Sequence, residues 1–150
     1  MNKRIIYFDR VFDDFKKILI EHKPVEFDLL FWHEMNDRDR EKILPEADYL
    51  LVATEQIGDE VFSKATKARF LQKTGIGVDN IDLSAANTHG LPVSNTPGAN
   101  STGVAELTIL LILSLFRKLI ILNKETKAGK WLMWEFRPSS FEMEGKTHGF

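Results

Sequence analysis

The residues best placed to do chemistry form a short loop with two glycines, Thr74-Gly75-Ile76-Gly77-Val78-Asp79-Asn80. An apolar run precedes the loop and predicts a β-strand, and open α/β sheets bind ligands at the carboxyl ends of their strands. The glycines allow positive φ and close approach to the backbone, and successive free N–H groups form a small anion-binding nest. The simpler interpretation is a tight strand-to-helix turn. The spacing is not the dinucleotide fingerprint, because Asn80 stands where the third glycine would be.

A second loop, residues 95–102, leads into a long apolar helix. A helix N-terminus suits a carboxylate or a phosphate. The residues alone favour the simpler interpretation, a linker between two lobes in which Asn100 only caps the helix.

The other polar side chains give weaker signals. The histidines are scattered, have no carboxylate at helical spacing, and are expected on the surface or at helix ends: His22, His33, His89 and His148. Asp9, Asp13 and Asp14 are expected to form a solvated helix cap, and Trp131 and Trp134 to lie in an interface or core. The absence of cysteine excludes disulfides, thiol catalysis and cysteine-ligated metals, and no metal-ligand spacing is present.

The elements that position these residues alternate along the chain. Apolar runs predict strands over residues 4–8, 25–31, 47–53, 70–74 and 91–94. Helical patterns fall between them: a helix capped by Asp13 or Asp14 and ended by Pro24, helices over residues 36–44 and 59–65, and one capped by Asp82 and ended by Gly90. With short connections and right-handed crossovers, this order predicts an open parallel sheet with helices on both faces.

The character of the sequence changes after the fifth strand. Ser101 or Thr102 is expected to cap a long helix that runs to about Lys127. Its uninterrupted apolar run, residues 109–116, is too short to span a bilayer, and charged residues lie nearby, so a helix buried against protein on nearly every side is predicted. Residues 144–150 predict a charged turn that runs into the start of a buried strand.

The composition sets broad limits. A chain of 150 residues with 43% hydrophobic residues and a net charge of −2 is ordinary for a soluble globular domain. No Lys/Arg-rich block is present, which argues against nucleic acid and membrane surfaces as partners. The N-terminal segment lacks the pattern of a signal peptide, so a cytoplasmic location is expected.

Several ordered motifs resemble the D-isomer-specific 2-hydroxyacid dehydrogenases. The resemblance runs from about residue 49 to residue 150. It is carried by Gly75-Ile76-Gly77-Val78-Asp79-Asn80-Ile81-Asp82, Gly90-Leu91-Pro92-Val93-Ser94-Asn95-Thr96-Pro97-Gly98, Val104-Ala105-Glu106-Leu107-Thr108, Gly129-Lys130-Trp131 and Glu144-Gly145-Lys146-Thr147-His148-Gly149. The first 48 residues are compatible with the family but not diagnostic of it.

The resemblance implies a two-lobed enzyme. Residues 1–98 would be a flavodoxin-like, open parallel-sheet lobe that binds substrate and lacks its returning C-terminal helix. Residues 99–150 would be a long apolar dimerisation helix and the truncated start of a Rossmann lobe. The family transfers a hydride between NAD or NADP and C2 of a D-2-hydroxy acid, and it forms homodimers through the helix that here lies between Val104 and Leu122.

Only some of the family's functional residues carry over to this sequence. The resemblance implies that the substrate contacts Ala53, Thr54, Gly75, Ile76, Gly77 and Asn100, and that the cofactor contacts Ile76 and Thr108. Many relatives have Arg-Ser where this chain has Ala53-Thr54, and the missing arginine argues against a phosphorylated substrate.

The catalytic machinery is expected after Phe150. The family's arginine, glutamate and histidine, its glycine-rich loop and its ribose-reading residue would all lie there, along with the main cofactor site. No catalytic residue is therefore assigned, and the 150-residue chain is expected to be inactive alone. The alternatives are a non-enzymatic, dimeric binding or regulatory fragment, and a chain that folds only in part.

Overall fold

A computed structural model describes residues 2–149, which form two compact units, residues 2–99 and residues 100–149. The first unit contains one parallel sheet of five strands in the order β2-β1-β3-β4-β5. The strands are β1 (Lys3–Tyr7), β2 (Phe27–Phe31), β3 (Tyr49–Val52), β4 (Leu71–Lys73) and β5 (Val93–Ser94). The predicted open parallel sheet is therefore confirmed, with strands somewhat shorter than the apolar runs.

A row of apolar residues crosses the sheet and forms the centre of the core. The register aligns Leu30, Ile6, Leu50, Leu71 and Val93 on neighbouring strands. Ile6, Leu50 and Leu71 have no solvent exposure at all. Continuous apolar strands of this kind are typical of parallel sheets.

Four helices connect the strands: α1 (Asp13–His22), α2 (Asp37–Ile43), α3 (Asp59–Phe62) and α4 (Leu83–Thr88). Because crossovers between parallel strands are right-handed, this strand order puts α1 on one face of the sheet and the other three helices on the opposite face. The core includes Leu44, Phe62 and Ala86 from the segments around α2, α3 and α4. No residue of α1 is buried.

Some of the predicted helix caps are confirmed, and others are wrong. Asp82 caps α4, since its Oδ1 accepts the N–H of Ala85 at 2.9 Å, and Gly90 follows α4 with φ of 65°. The predicted cap of α1 is wrong: Asp13 and Asp14 lie in its first turn, where they favour the positive end of the helix, and Phe12 precedes it.

The second unit is helical in its described part. It contains α5 (Ser101–Phe116), α6 (Leu119–Lys127), α7 (Met133–Phe136) and a 3₁₀ turn, Arg137–Ser139. Asn100 precedes α5 without a side-chain capping bond, so the predicted cap at Ser101 or Thr102 is wrong.

The prediction of a single long helix that runs to Lys127 is also wrong, because the helix is interrupted between α5 and α6. Lys118 adopts a left-handed conformation with φ of 56°, which costs a non-glycine residue about 1–2 kcal/mol. The carbonyl of Phe116 accepts the N–H of Phe141 at 3.0 Å, and the two rings pack edge to face at 6.0 Å. Contacts distant in sequence thus outweigh the local helical preference.

The burial predicted for the second unit is not found within this chain. No residue of α5 is buried, and Trp131 and Trp134 are 76% and 66% exposed. Residues 146–149 form no strand, since the described part of this unit offers no strand to pair with, and Phe150 lies outside the described residues. Between residues 2 and 149, no helix combines the length and apolar character needed to cross a bilayer.

Candidate functional site

An open cleft of about 520 Å³ lies beyond the carboxyl ends of β3 and β4. Its lining comes from the loops that follow these strands: Ala53, Thr54, Gln56, Lys73, Thr74, Gly75, Ile76, Gly77, Asp79 and Asn80. The cleft therefore sits where an open α/β sheet binds ligands.

In the segment from Gly75 to Gly77, two of the carbonyls accept hydrogen bonds and all three amides are free. The carbonyl of Gly75 accepts the N–H of Thr96 at 2.9 Å, and the carbonyl of Ile76 accepts from Nδ2 of Asn95 at 2.9 Å. Within residues 2–149, the N–H groups of Gly75, Ile76 and Gly77 donate to no protein acceptor. Three successive amides are thus available to an anion.

The expected positive φ at these glycines is not found. The glycines with positive φ in the described residues are Gly90, Gly98, Gly129 and Gly145. A Cβ built on Gly77 would lie 3.1 Å from Oδ2 of Asp79, whereas a Cβ on Gly75 would make an ordinary contact. Asp79 is exposed, so the end of its side chain can move by the few tenths of an ångström that a Cβ at Gly77 would require.

The carboxylate of Asp9 accepts hydrogen bonds from the loop that follows β3. This carboxylate, 6% exposed, accepts hydrogen bonds from the N–H of Ala53 at 2.5 Å, the N–H of Thr54 at 2.5 Å, the hydroxyl of Thr54 at 2.7 Å and the N–H of Glu55 at 3.1 Å. Asp9 follows β1, and the strand order reverses between β1 and β3. An internal carboxylate thus fills the crevice at the topological switch point.

The expectation that Asp9 is a solvated cap residue is therefore wrong, although Asp13 and Asp14 are exposed as predicted. Burial raises the pKa of the Asp9 carboxyl, but the hydrogen bonds from Ala53, Thr54 and Glu55 together outweigh burial and hold that pKa below its usual value. Burial, and then the charge of Asp9, raise the pKa of the Tyr7 phenol at the end of β1.

Lys73 and Asn80 link the two loops of the cleft. Lys73 is 8% exposed, and its Nζ donates to the carbonyl of Ala53 and, at 2.6 Å, to Oδ1 of Asn80. Nδ2 of Asn80 in turn donates to the carbonyl of Glu55 at 2.6 Å. Hydrogen bonds therefore join the loops after β3 and β4 to each other.

The structure brings five of the predicted site residues together. Ala53, Thr54, Gly75, Ile76 and Gly77 all line the cleft, and the side chain of Ile76 is 51% exposed. The other two predicted residues lie in the second unit.

Those two residues occupy α5 and its N-terminus. Asn100 precedes the helix, and the hydroxyl of Thr108 donates to the carbonyl of Val104 at 2.8 Å. The hydroxyl oxygen of Thr108 can still accept a hydrogen bond.

The histidines lie outside the cleft, and two of them have carboxylate partners far away in sequence. Nε2 of His33 is 3.0 Å from Oε1 of Glu55, and Nε2 of His89 is 2.7 Å from Oδ1 of Asp59. Spacing along one helix could not reveal these pairs. In residues 2–149 no cluster of three or more acidic or histidine side chains suits a metal ion.

Asp9, Lys73 and Asn80 are the site residues that sequence reasoning missed. Lys73 and Asn80 lie within or beside the glycine loop, but their buried contacts depend on Ala53 and Glu55, about 20 to 25 residues away. A signal was available, because a polar residue directly after a buried parallel strand lies at the ligand-binding edge of the sheet.

A family model for the D-isomer-specific 2-hydroxyacid dehydrogenase catalytic domain matches residues 5–148. The match includes residues 5–48, where the motifs are not diagnostic.

Individual relatives agree with this match. The chain is 33% identical to the D-3-phosphoglycerate dehydrogenase of Bacillus subtilis over 97% of its own length and 27% of that protein. It is 34% identical to the same enzyme of Methanocaldococcus jannaschii, with the same coverage of both chains. The chain thus spans about a quarter of the length of these relatives.

A solved structure supports the same fold. The NAD⁺-bound 3-phosphoglycerate dehydrogenase of Entamoeba histolytica matches with a TM-score of 0.62 and 27% identity, over 79% of this chain and 40% of that one.

Proposed function

Because this chain belongs to the D-isomer-specific 2-hydroxyacid dehydrogenases, we propose that it acts as part of an NAD- or NADP-dependent oxidoreductase. That enzyme transfers a hydride between the nicotinamide and C2 of a D-2-hydroxy acid or its 2-keto acid. Residues 1–98 are the substrate-binding lobe, and residues 99–150 lead into the cofactor-binding lobe.

One observation supports the substrate role above all: the row of unoccupied amides at Gly75, Ile76 and Gly77 along the cleft. A carboxylate accepts two or more hydrogen bonds, and bonds from backbone N–H groups to a charged acceptor are worth about 1.5–3 kcal/mol each. Ala53 and Thr54, held by Asp9, form the facing wall.

The cofactor is NAD or NADP, and this chain supplies only the edge of its site. Ile76 would touch the nicotinamide end from the cleft, and Thr108 would contact the cofactor from α5. Asn100 would approach the substrate from the loop before α5.

The substrate is a small 2-hydroxy or 2-keto acid without a phosphate group. Ala53 and Thr54 provide no guanidinium at a position where relatives carry arginine, so a second anionic group would lack a bidentate partner there.

Residues 1–150 alone have no turnover. The ionisable side chains lining the cleft are Lys73 and Asp79, which provides no histidine for proton transfer at C2 and no arginine to polarise the carbonyl. The test is NADH oxidation with pyruvate, glyoxylate and hydroxypyruvate at high protein concentration. Oxidation above the protein-free rate contradicts this part of the proposal.

Binding is tested separately from turnover, by saturation-transfer NMR on the purified chain. We expect pyruvate and glyoxylate to receive magnetisation and to compete with each other, whereas pyruvamide, the uncharged analogue of pyruvate, gives a weaker signal. Equal signals for pyruvate and pyruvamide, without competition, would argue against a carboxylate site.

The chain also forms a homodimer through the segment between Val104 and Leu122. Leu107, Leu110 and Leu111 are each more than half exposed, and no residue of α5 is buried. Such an apolar surface is a protein-interaction site. A second copy is the proposed occupant, because most soluble oligomers are assembled from copies of one chain.

The same exposed surface favours a second candidate function, a non-enzymatic dimeric or regulatory fragment. Mixing the chain with a full-length family member separates the two. Loss of that enzyme's activity in proportion to added chain supports the regulatory function, and unchanged activity contradicts it.

A further inference from the structure

The buried ammonium group of Lys73 has no role in the substrate-binding function proposed above. Buried lysines are normally paired with a carboxylate, because taking the charge out of water costs several kcal/mol. Both acceptors that Lys73 meets, the carbonyl of Ala53 and Oδ1 of Asn80, are uncharged. Among the described residues, no carboxylate oxygen lies within 4.0 Å of its Nζ.

The carboxylate of Asp9 compensates the charge of Lys73 only indirectly, through a peptide group. The unit between residues 53 and 54 accepts from Lys73 with its carbonyl and donates to Oδ1 of Asp9, at 2.5 Å, with its N–H. Lys73, the peptide and Asp9 thus form a row in which the charges are separated by the whole peptide group. That arrangement orients Lys73 without a direct ion pair.

The ammonium also has a donor to spare. Lysine carries three N–H donors, and two are used by Ala53 and Asn80. Asn80 cannot turn away, since its own amide donates to the carbonyl of Glu55. Lys73 lines the cleft together with the free amides of the glycine loop, and its stem lies 3.5 Å from a Cβ built on Gly75.

We propose that Lys73 is a ligand-binding residue of the cleft, which supplies the positive charge for the carboxylate that the Gly75–Gly77 amides receive. Asp9 and Asn80 are positioning residues that hold it. The proposal rests on the substrate-binding function above and adds the residue that makes the cleft selective for an anion. Asp79 also lines the cleft, but it is exposed and opposes rather than assists this role.

The test is a titration of the ¹⁵N-labelled chain with pyruvate and with pyruvamide, followed at the amides of the glycine loop. We expect Lys73→Gln to weaken pyruvate binding about tenfold, the loss of one charge-assisted hydrogen bond, and to leave pyruvamide binding unchanged. Lys73→Arg should restore most of the affinity for pyruvate. A purely structural lysine would change both ligands alike.

A wild-type measurement covers the case in which Lys73→Gln does not fold. Pyruvate, but not pyruvamide, should shift the ¹³Cε signal of Lys73. Pyruvate binding that leaves this signal unmoved, or that survives in Lys73→Gln, overturns the role of Lys73 while the substrate site stands. Absence of pyruvate binding to the wild-type chain overturns the substrate site and this inference together.

Discussion

Replacing Asp9 by asparagine should remove much of the stability of the first unit. Asparagine has one acceptor oxygen, so its NH₂ group must face either the N–H of Ala53 or the donors on Thr54 and Glu55. One buried donor left unpaired costs about 1–3 kcal/mol, and the remaining bonds lose their charge assistance. Relief of the carboxylate's desolvation offsets part of this, which leaves a loss of about 3 kcal/mol.

Hydrogen exchange at Leu50 and Leu71 measures this loss within the first unit. Their amides are bonded across the sheet to Phe70 and Pro92, and both residues are fully buried. A loss of about 3 kcal/mol accelerates exchange through unfolding roughly a hundredfold. Asp14→Asn is the matched control, since the Asp14 side chain is 99% exposed in the same acidic cluster.

The pH dependence gives the same experiment a second readout. The pKa of Asp9 is lowered in the folded chain, so its stabilisation is fully present above the unfolded value of about 3.9 and is lost as the pH falls through the folded value. The stability gap between wild type and Asp9→Asn should be constant from neutral pH to about 5 and shrink below about 4. An Asp9→Asn chain that exchanges like Asp14→Asn at neutral pH would refute the account of this carboxylate.

Three further outcomes follow from the geometry. Gly90→Ala should destabilise the first unit by about 1 kcal/mol because of its φ of 65°, and Gly90→Asn by less, as urea denaturation would measure; equal midpoints for all three chains would contradict this. Gly75→Ala and Gly77→Ala should leave the stability unchanged or raise it by up to about 1 kcal/mol, because neither glycine has positive φ and the exposed Asp79 can yield to a Cβ on Gly77; a clear loss in the same assay would be inconsistent with the loop geometry. If the chain forms the proposed dimer, Leu111→Glu should convert it to a monomer in light scattering without changing the urea midpoint of the first unit, and a dimer that persists would place the interface elsewhere.

The sheet could be predicted from sequence because its information is local. The apolar runs around Ile6, Leu50 and Leu71 are short, continuous and separated by turn residues, which is sufficient to give the element order and the parallel pairing. The cap at Asp82 and the stop at Gly90 depend on the next few residues and were also predictable.

The break between α5 and α6 was not predictable in this way. The segment around Phe116 contains neither glycine nor proline, and Arg117 and Lys118 are good helix formers, so local preference continues the helix. The break depends on Phe141, whose N–H and ring both meet Phe116. The exposure of α5 was missed because a helix apolar on all sides predicts burial without saying by which chain it is buried.

The candidate site was likewise predictable from the sequence only in part. The glycine loop was found from its motif, and the structure groups Gly75, Ile76 and Gly77 with Ala53 and Thr54 in one cleft. Asp9 and Lys73 were missed, since a charged residue is expected on the surface unless a buried partner is known. Most of their partners are backbone groups about 20 to 45 residues away, which carry no side-chain pattern to read.

The most direct test of the central claim is a ¹H–¹⁵N titration of the wild-type chain with pyruvate, with every amide assigned. We expect saturable shifts that are largest at Gly75, Ile76 and Gly77, smaller at Ala53 and Thr54, and absent from α5 and α6. Shifts that do not saturate, or that centre anywhere outside the cleft, would contradict the assignment of the first unit as a substrate-binding lobe.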